Sequence, residues 1–137
     1  MTEIAFTVPW PPSVNNYYVR GEWRRARSGK MYQATGLTKE GQRYRDELPL
    51  VLLEQLHGRR VTFHGQVEVE LECHPPDKRK RDLDNIEKAL FDALQHARIL
   101  GNDYQIWRKT SERLHVVRGG CVRVTVRPYR LHQTEAA

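Results

Sequence analysis

From Val67 to Cys73 the chain alternates without a break: Val67, Val69, Leu71 and Cys73 are apolar, and Glu68, Glu70 and Glu72 lie between them. Successive side chains of a strand point to opposite faces, so this run predicts a β-strand with one dry face and one wet face. Pro75-Pro76 ends it, because proline has no N–H to give to a ladder. A second alternation, Ile4, Phe6 and Val8 against Glu3, Ala5 and Thr7, is stopped by Pro9-Trp10-Pro11-Pro12. Val122, Val124 and Val126 form the apolar face of a last strand. It follows a strand expected around Gln105 to Val117, with Gly119-Gly120 as the hairpin turn between them.

A strand with one dry face needs a partner layer. Leu37, Tyr44, Leu48, Val51, Leu52 and Leu56 recur at helical spacing, with Gly58 as the stop and Pro49 expected to kink or split the helix. Ile86, Leu90, Ala93, Leu94 and Ala97 mark a second amphipathic helix. Asp84 and Glu87 have the spacing of a capping box at its start. Tyr17-Tyr18-Val19 and Met31-Tyr32 flank a loose hairpin whose tip carries arginines. The order β, hairpin, α, β, α, β, β predicts an α+β fold with a mixed β-sheet and two main helices packed on it.

The chain's 137 residues suit one domain, expected over residues 1–131, with 132–137 a frayed tail. Two cysteines are too few for a disulfide framework, and no apolar run would span a membrane, so a cytoplasmic setting is expected. Lysine and arginine number 23 against 17 acidic residues, a formal charge of +6 that points to polyanions. The bases cluster. Arg24, Arg25, Arg27 and Lys30 sit at the hairpin tip with Arg20, and Lys78, Arg79, Lys80 and Arg81 run straight into Asp82.

Arg81-Asp82-Leu83-Asp84-Asn85 is where chemistry is expected. An extended approach to the helix start would put Asp82 and Asp84 on one face, as oxygen ligands suited to Mg²⁺. The plainer alternative has Asp84 capping the helix and Asp82 balancing Arg79 to Arg81. Lys88 lies one turn beyond Asp84, placed either to neutralise charge on a phosphodiester or to pair with Asp92. Asp103, at the Gly101-Asn102-Asp103 turn, joins the site only if its strand brings it to face Asp82 and Asp84. Cys73-His74, His115 and Cys121 lack a C-x-x-C pair and read as buried thiols rather than a zinc set. Trp10, Trp23 and Trp107 read as packing residues, although Trp23 among arginines could stack on a base.

These residues resemble the RusA-type Holliday-junction resolvases, or crossover junction endodeoxyribonucleases, of bacteria and their prophages. The likeness runs from Ile4 to Tyr129. It is carried by Pro9-Trp10-Pro11-Pro12-Ser13-Val14-Asn15-Asn16-Tyr17, by Gly41-Gln42 and Tyr44-Arg45, and by the run from Cys73 through Asp82-Leu83-Asp84-Asn85-Ile86-Glu87-Lys88 to Phe91-Asp92-Ala93-Leu94. Asn102-Asp103-Tyr104-Gln105 and Gly119-Gly120 complete it. The resemblance implies a homodimeric endonuclease that cuts four-way DNA junctions by paired symmetric nicks in recombination and repair. It implies Mg²⁺ as cofactor, with Mn²⁺ an alternative. By position, Asp82, Asp84 and Asp103 match the family's essential acidic residues and Lys88 its essential lysine. The rival reading is a non-catalytic module that binds branched DNA, in which the aspartates only cap and balance charge.

Overall fold

The computed structural model describes residues 2–130, so the expected tail at 132–137 lies outside the described residues. The element order is β1 (Ile4–Pro9), α1 (Val14–Tyr17), β2 (Tyr18–Arg25), β3 (Met31–Leu37), α2 (Lys39–Gln55), β4 (Val67–His74), α3 (Asp84–His96), a 3₁₀ turn (Asp103–Gln105), β5 (Ile106–Arg113) and β6 (Cys121–Pro128). Four strands form a mixed sheet in the order β1-β6-β4-β5, and β2 and β3 form a separate two-stranded ribbon. The α+β class and the two main helices agree with the sequence reading.

The dry sides of β1, β4 and β6 are buried at every second residue. Against them pack Tyr44, Leu48 and Leu52 of α2 and Ile86, Leu90 and Leu94 of α3. The wet side is zipped by charge. Arg127 reaches Glu3 at 2.9 Å, Glu68 at 3.3 Å and Glu70 at 2.8 Å, and Arg123 lies 3.8 Å from Glu72. Exposed pairs of this kind each contribute under about 1 kcal/mol, but together they cancel the acidic face of β4.

Three expectations are corrected. Pro49 does not split α2, which runs unbroken from Lys39 to Gln55. Leu48 and Leu52 on either side of it are both buried, and that packing outweighs one missing backbone bond. Leu37 belongs to β3, because Thr38 caps α2 by accepting from the Gly41 N–H at 2.9 Å. Gly119-Gly120 does not turn a hairpin, since β5 and β6 flank β4 on opposite sides. Its role is a close approach: a Cβ on Gly120 would lie 2.8 Å from the Trp10 Cβ and 3.0 Å from Pro76.

One topological feature sets the site. β4 and β5 are parallel, with Val67 beside Ile106 and Cys73 beside Arg113. Helix α3 therefore carries the chain from the C-terminal end of β4 back to the N-terminal end of β5. Its 13 residues, at about 1.5 Å each, separate the two ends by about 20 Å.

Candidate active site

Loop 75–83 is organised by Asp77. Its carboxylate takes a fork from Arg81, with Nη1 at 2.7 Å and Nη2 at 3.0 Å, and accepts from the Arg79 N–H at 2.9 Å. The Arg81 fork, then the Arg79 amide, hold the Asp77 carboxyl down at about 2. Arg113 closes the loop by donating to the Arg81 carbonyl. Asp82 is thus not the counter-charge of Arg79 and Arg81, as the plainer reading expected. Asp77 fills that role.

The extended approach expected at Asp82-Leu83-Asp84 is a turn instead. Leu83 is the N-cap in right-handed helical conformation, and the Asp82 carbonyl already accepts from the Asn85 N–H at 3.2 Å. Asp84 is the first residue of α3, and no side chain caps the helix. Glu87 has turned inward, where Lys109 Nζ lies at 2.6 Å and Ser111 Oγ at 2.8 Å from its two oxygens. Two tertiary partners from β5 win over one local N–H, and the capping box does not form.

Lys88 does not pair with Asp92. Asp92 is taken by Tyr17, whose hydroxyl donates at 2.5 Å, and by Arg45 at 2.6 Å. Burial, followed by the Asp92 contact, pushes the Tyr17 hydroxyl well above its ordinary value. The Lys88 ammonium stands 5.2 Å from the centre of the Tyr18 ring. Tyr18 also lies in the field of Asp103, although burial is the largest cause of its raised pKa. Asp103 opens the 3₁₀ turn before β5. It therefore lies past the C-terminal end of α3, whereas Asp82 and Asp84 stand at its start, and the strand it leads into does not enter beside Cys73. The reason is that β5 is parallel to β4, so its entry lies beside Val67 and not beside Cys73.

The chain has six aspartates. Asp46, Asp77 and Asp92 have side-chain partners. Asp82, Asp84 and Asp103, all exposed, have none among the described residues. Asp82 and Asn85 line a groove of about 380 Å³ with Trp10, Ser13, Asn16, Glu40 and Arg79 to Arg81. Unpartnered carboxylates beside amide and hydroxyl oxygens are a donor set that fits a hard divalent cation. Among the described residues no three Asp, Glu, His or Cys side chains form a ready metal cage, and this includes Cys73, His74, His115 and Cys121. The Cys73 thiol is pushed up to about 11 by burial.

Arg24, Arg25, Arg27 and Lys30 project from the β2–β3 ribbon and its connection, all exposed. With Lys78 and Lys80 they have no carboxylate partner among the described residues, whereas Arg79 and Arg81 share Asp77. Of the tryptophans only Trp10 packs against the core. Trp23 is 65% exposed on the ribbon, and Trp107 is 59% exposed, tilted against Tyr129.

Reading residues in isolation missed the role of Tyr18 beneath Lys88 and the junction of Tyr17, Arg45 and Asp92. Each of those three stands in a different motif of the family resemblance, and that was the available signal. Gly41 belongs with them: a Cβ there would lie 2.4 Å from the Tyr17 carbonyl oxygen, so only glycine lets α2 approach α1.

Comparison with known proteins agrees with the motifs. The family model described as endodeoxyribonuclease RusA matches residues 9–127. Crossover junction endodeoxyribonuclease RusA of Shigella sonnei is 34% identical over 126 residues, covering 92% of this chain and 95% of that protein. The proteins of the same name from Escherichia coli K12 and Enterobacteria phage 82 are also 34% identical, with the same coverage.

Proposed function

The chain belongs to the RusA family of endodeoxyribonucleases, and from that we propose that it resolves four-way DNA junctions by paired, symmetric, Mg²⁺-dependent nicks. The observation that carries the site assignment is the division among the aspartates. Among the described residues the fold engages three of the six and leaves Asp82, Asp84 and Asp103 without a side-chain partner, in a chain with a surplus of base.

Asp82 and Asp84 supply oxygen ligands at the start of α3, beside the groove that the scissile phosphate enters. A divalent ion held there supplies a Lewis acid for activating water and polarising a phosphoryl oxygen. Lys88, one turn along the same helix, neutralises charge that builds on the phosphate, and the Tyr18 ring limits where its ammonium can stand. Asn85 and Ser13 line the groove and can orient phosphate oxygens or water. The unpaired bases of the ribbon and of loop 75–83 draw the DNA backbone past the carboxylates. Cleavage leaves a 5′ phosphate and a 3′ hydroxyl.

Paired nicks across a near-two-fold junction call for two sites related by a dyad, and hence for a homodimer. A dimer also answers the separation within one chain. If the Asp103 end of α3 in one copy meets the Asp82–Asp84 end in the other, each site gains its third carboxylate.

The test is cleavage of 5′-labelled junction, fork, duplex and single-stranded DNA with and without Mg²⁺. Junction-selective, Mg²⁺-dependent paired nicking is expected, lost in Asp82→Asn with junction binding retained. Binding without cutting under every condition would instead establish the non-catalytic module.

A further inference from the structure

Away from the Asp84 end of α3, the C-terminal ends of α2 and α3 enclose a groove of about 490 Å³. Its walls are aliphatic, with Leu53, Leu56, Val61 and Ile99 inside and Leu50 at the mouth. Leu50 is 68% and Leu53 46% exposed, on a helix whose opposite face is already core. Arg59, Arg60 and Arg98 stand around the groove with His96, and no acidic residue lines it. Among the described residues none of the three guanidinium groups meets a carboxylate; Arg59 Nε donates to the Leu56 carbonyl at 3.3 Å. The contrast with Arg123 and Arg127, both matched to glutamates on the sheet, is direct. Arg98 moreover holds left-handed backbone, φ 65°, where a helix ordinarily ends in glycine.

We propose that this groove is a docking site for an acidic peptide segment of another protein, anchored by one or two large apolar side chains. Exposed leucines call for apolar anchors, and a ring of unmatched arginines calls for carboxylates around them. A DNA backbone would satisfy the arginines but leave the leucines against charged phosphate. A second copy whose dyad passes through the groove would set the arginine ring against itself. An acidic, apolar peptide satisfies both halves of the surface.

The probe is a fluorescein-labelled synthetic peptide of four glutamates followed by leucine, glycine and phenylalanine, read by fluorescence anisotropy on the full chain. Saturable binding is expected, weakened about tenfold or more by Leu50→Glu and by Arg60→Glu, with junction cutting unchanged in both. The same peptide with lysines for glutamates should not bind. Equal affinity in Leu50→Glu and wild type would overturn the proposal by showing that charge alone attracts the peptide. So would loss of duplex affinity in Arg59→Glu/Arg60→Glu, which would make the arginines backbone contacts. Conversion of a dimer to a monomer by Leu50→Glu or Leu53→Glu would also overturn it, because the groove would then be a contact between copies.

Discussion

Lys88 holds its ammonium 5.2 Å from the centroid of the Tyr18 ring, while Asp92, one turn along the helix, is bound to Arg45 and Tyr17. The lysine is therefore not spent on a helix-surface ion pair. Its charge is steered by a ring face, which restrains direction without neutralising it. Lys88→Ala is expected to slow single-turnover junction cleavage by about 10²-fold or more while junction affinity changes little. Tyr18→Phe should keep nearly full rate, and Tyr18→Ala should lose about 2–5-fold, the worth of an exposed cation–π contact. An equal loss in both variants would show that the hydroxyl, not the ring, matters.

The separation of Asp103 from Asp82 and Asp84 makes a mixing experiment decisive. Asp82→Asn and Asp103→Asn are each expected to be inactive alone. In a randomly reassorted mixture half the dimers are mixed, and in a site shared across the dyad each of these holds one intact carboxylate set. Nicking should then recover to about a quarter of the wild-type level, following the symmetry of an isologous dimer. No recovery would mean that each chain completes its own site.

Arg24, Arg25, Arg27, Lys30, Lys78 and Lys80 are the expected DNA-contacting bases without a carboxylate partner among the described residues. Six neutralised phosphates give a log–log dependence of junction affinity on salt with slope of about −5. Removing Arg24, Arg25 and Arg27 together should flatten it to about −3, measured by anisotropy across a salt series. An unchanged slope would place the ribbon away from the backbone.

The Asp77 carboxyl is depressed from 3.8 to about 2, first by Arg81 and then by the Arg79 amide. With the folded value below the unfolded one, its contribution to loop order is complete above about pH 4 and is lost as pH falls toward 2. The Arg79 amide resonance should titrate with a midpoint of about 2, and the transition should vanish in Asp77→Asn. A midpoint near 4 would contradict the fork.

Much of this was legible along the chain, for a physical reason. Strand alternation and helical spacing are periodic signals, so β1, β4, β6, α2 and α3 could be read from local residues. Where local signals competed with packing, packing prevailed. Pro49 stayed inside a helix held on both sides by buried leucines, and Glu87 left its cap for Lys109 and Ser111. The partners of Asp92 and Asp77 followed the same rule: Arg45 and Tyr17 are distant in sequence, and the Asp77–Arg81 fork needs the loop's own closure.

By itself the sequence determined the residue types: strands with one dry face and carboxylates beside a run of base. Those are consequences of side-chain chemistry and spacing. Only the tertiary structure decided that β5 lies beside β4 and parallel to it, since that depends on α3 running back along the sheet to the end where β4 begins. That one choice leads the chain past the C-terminal end of α3 to Asp103 and into β5 beside Val67, while Asp84 stands at the start of the helix, an arrangement that no pattern along the chain encodes.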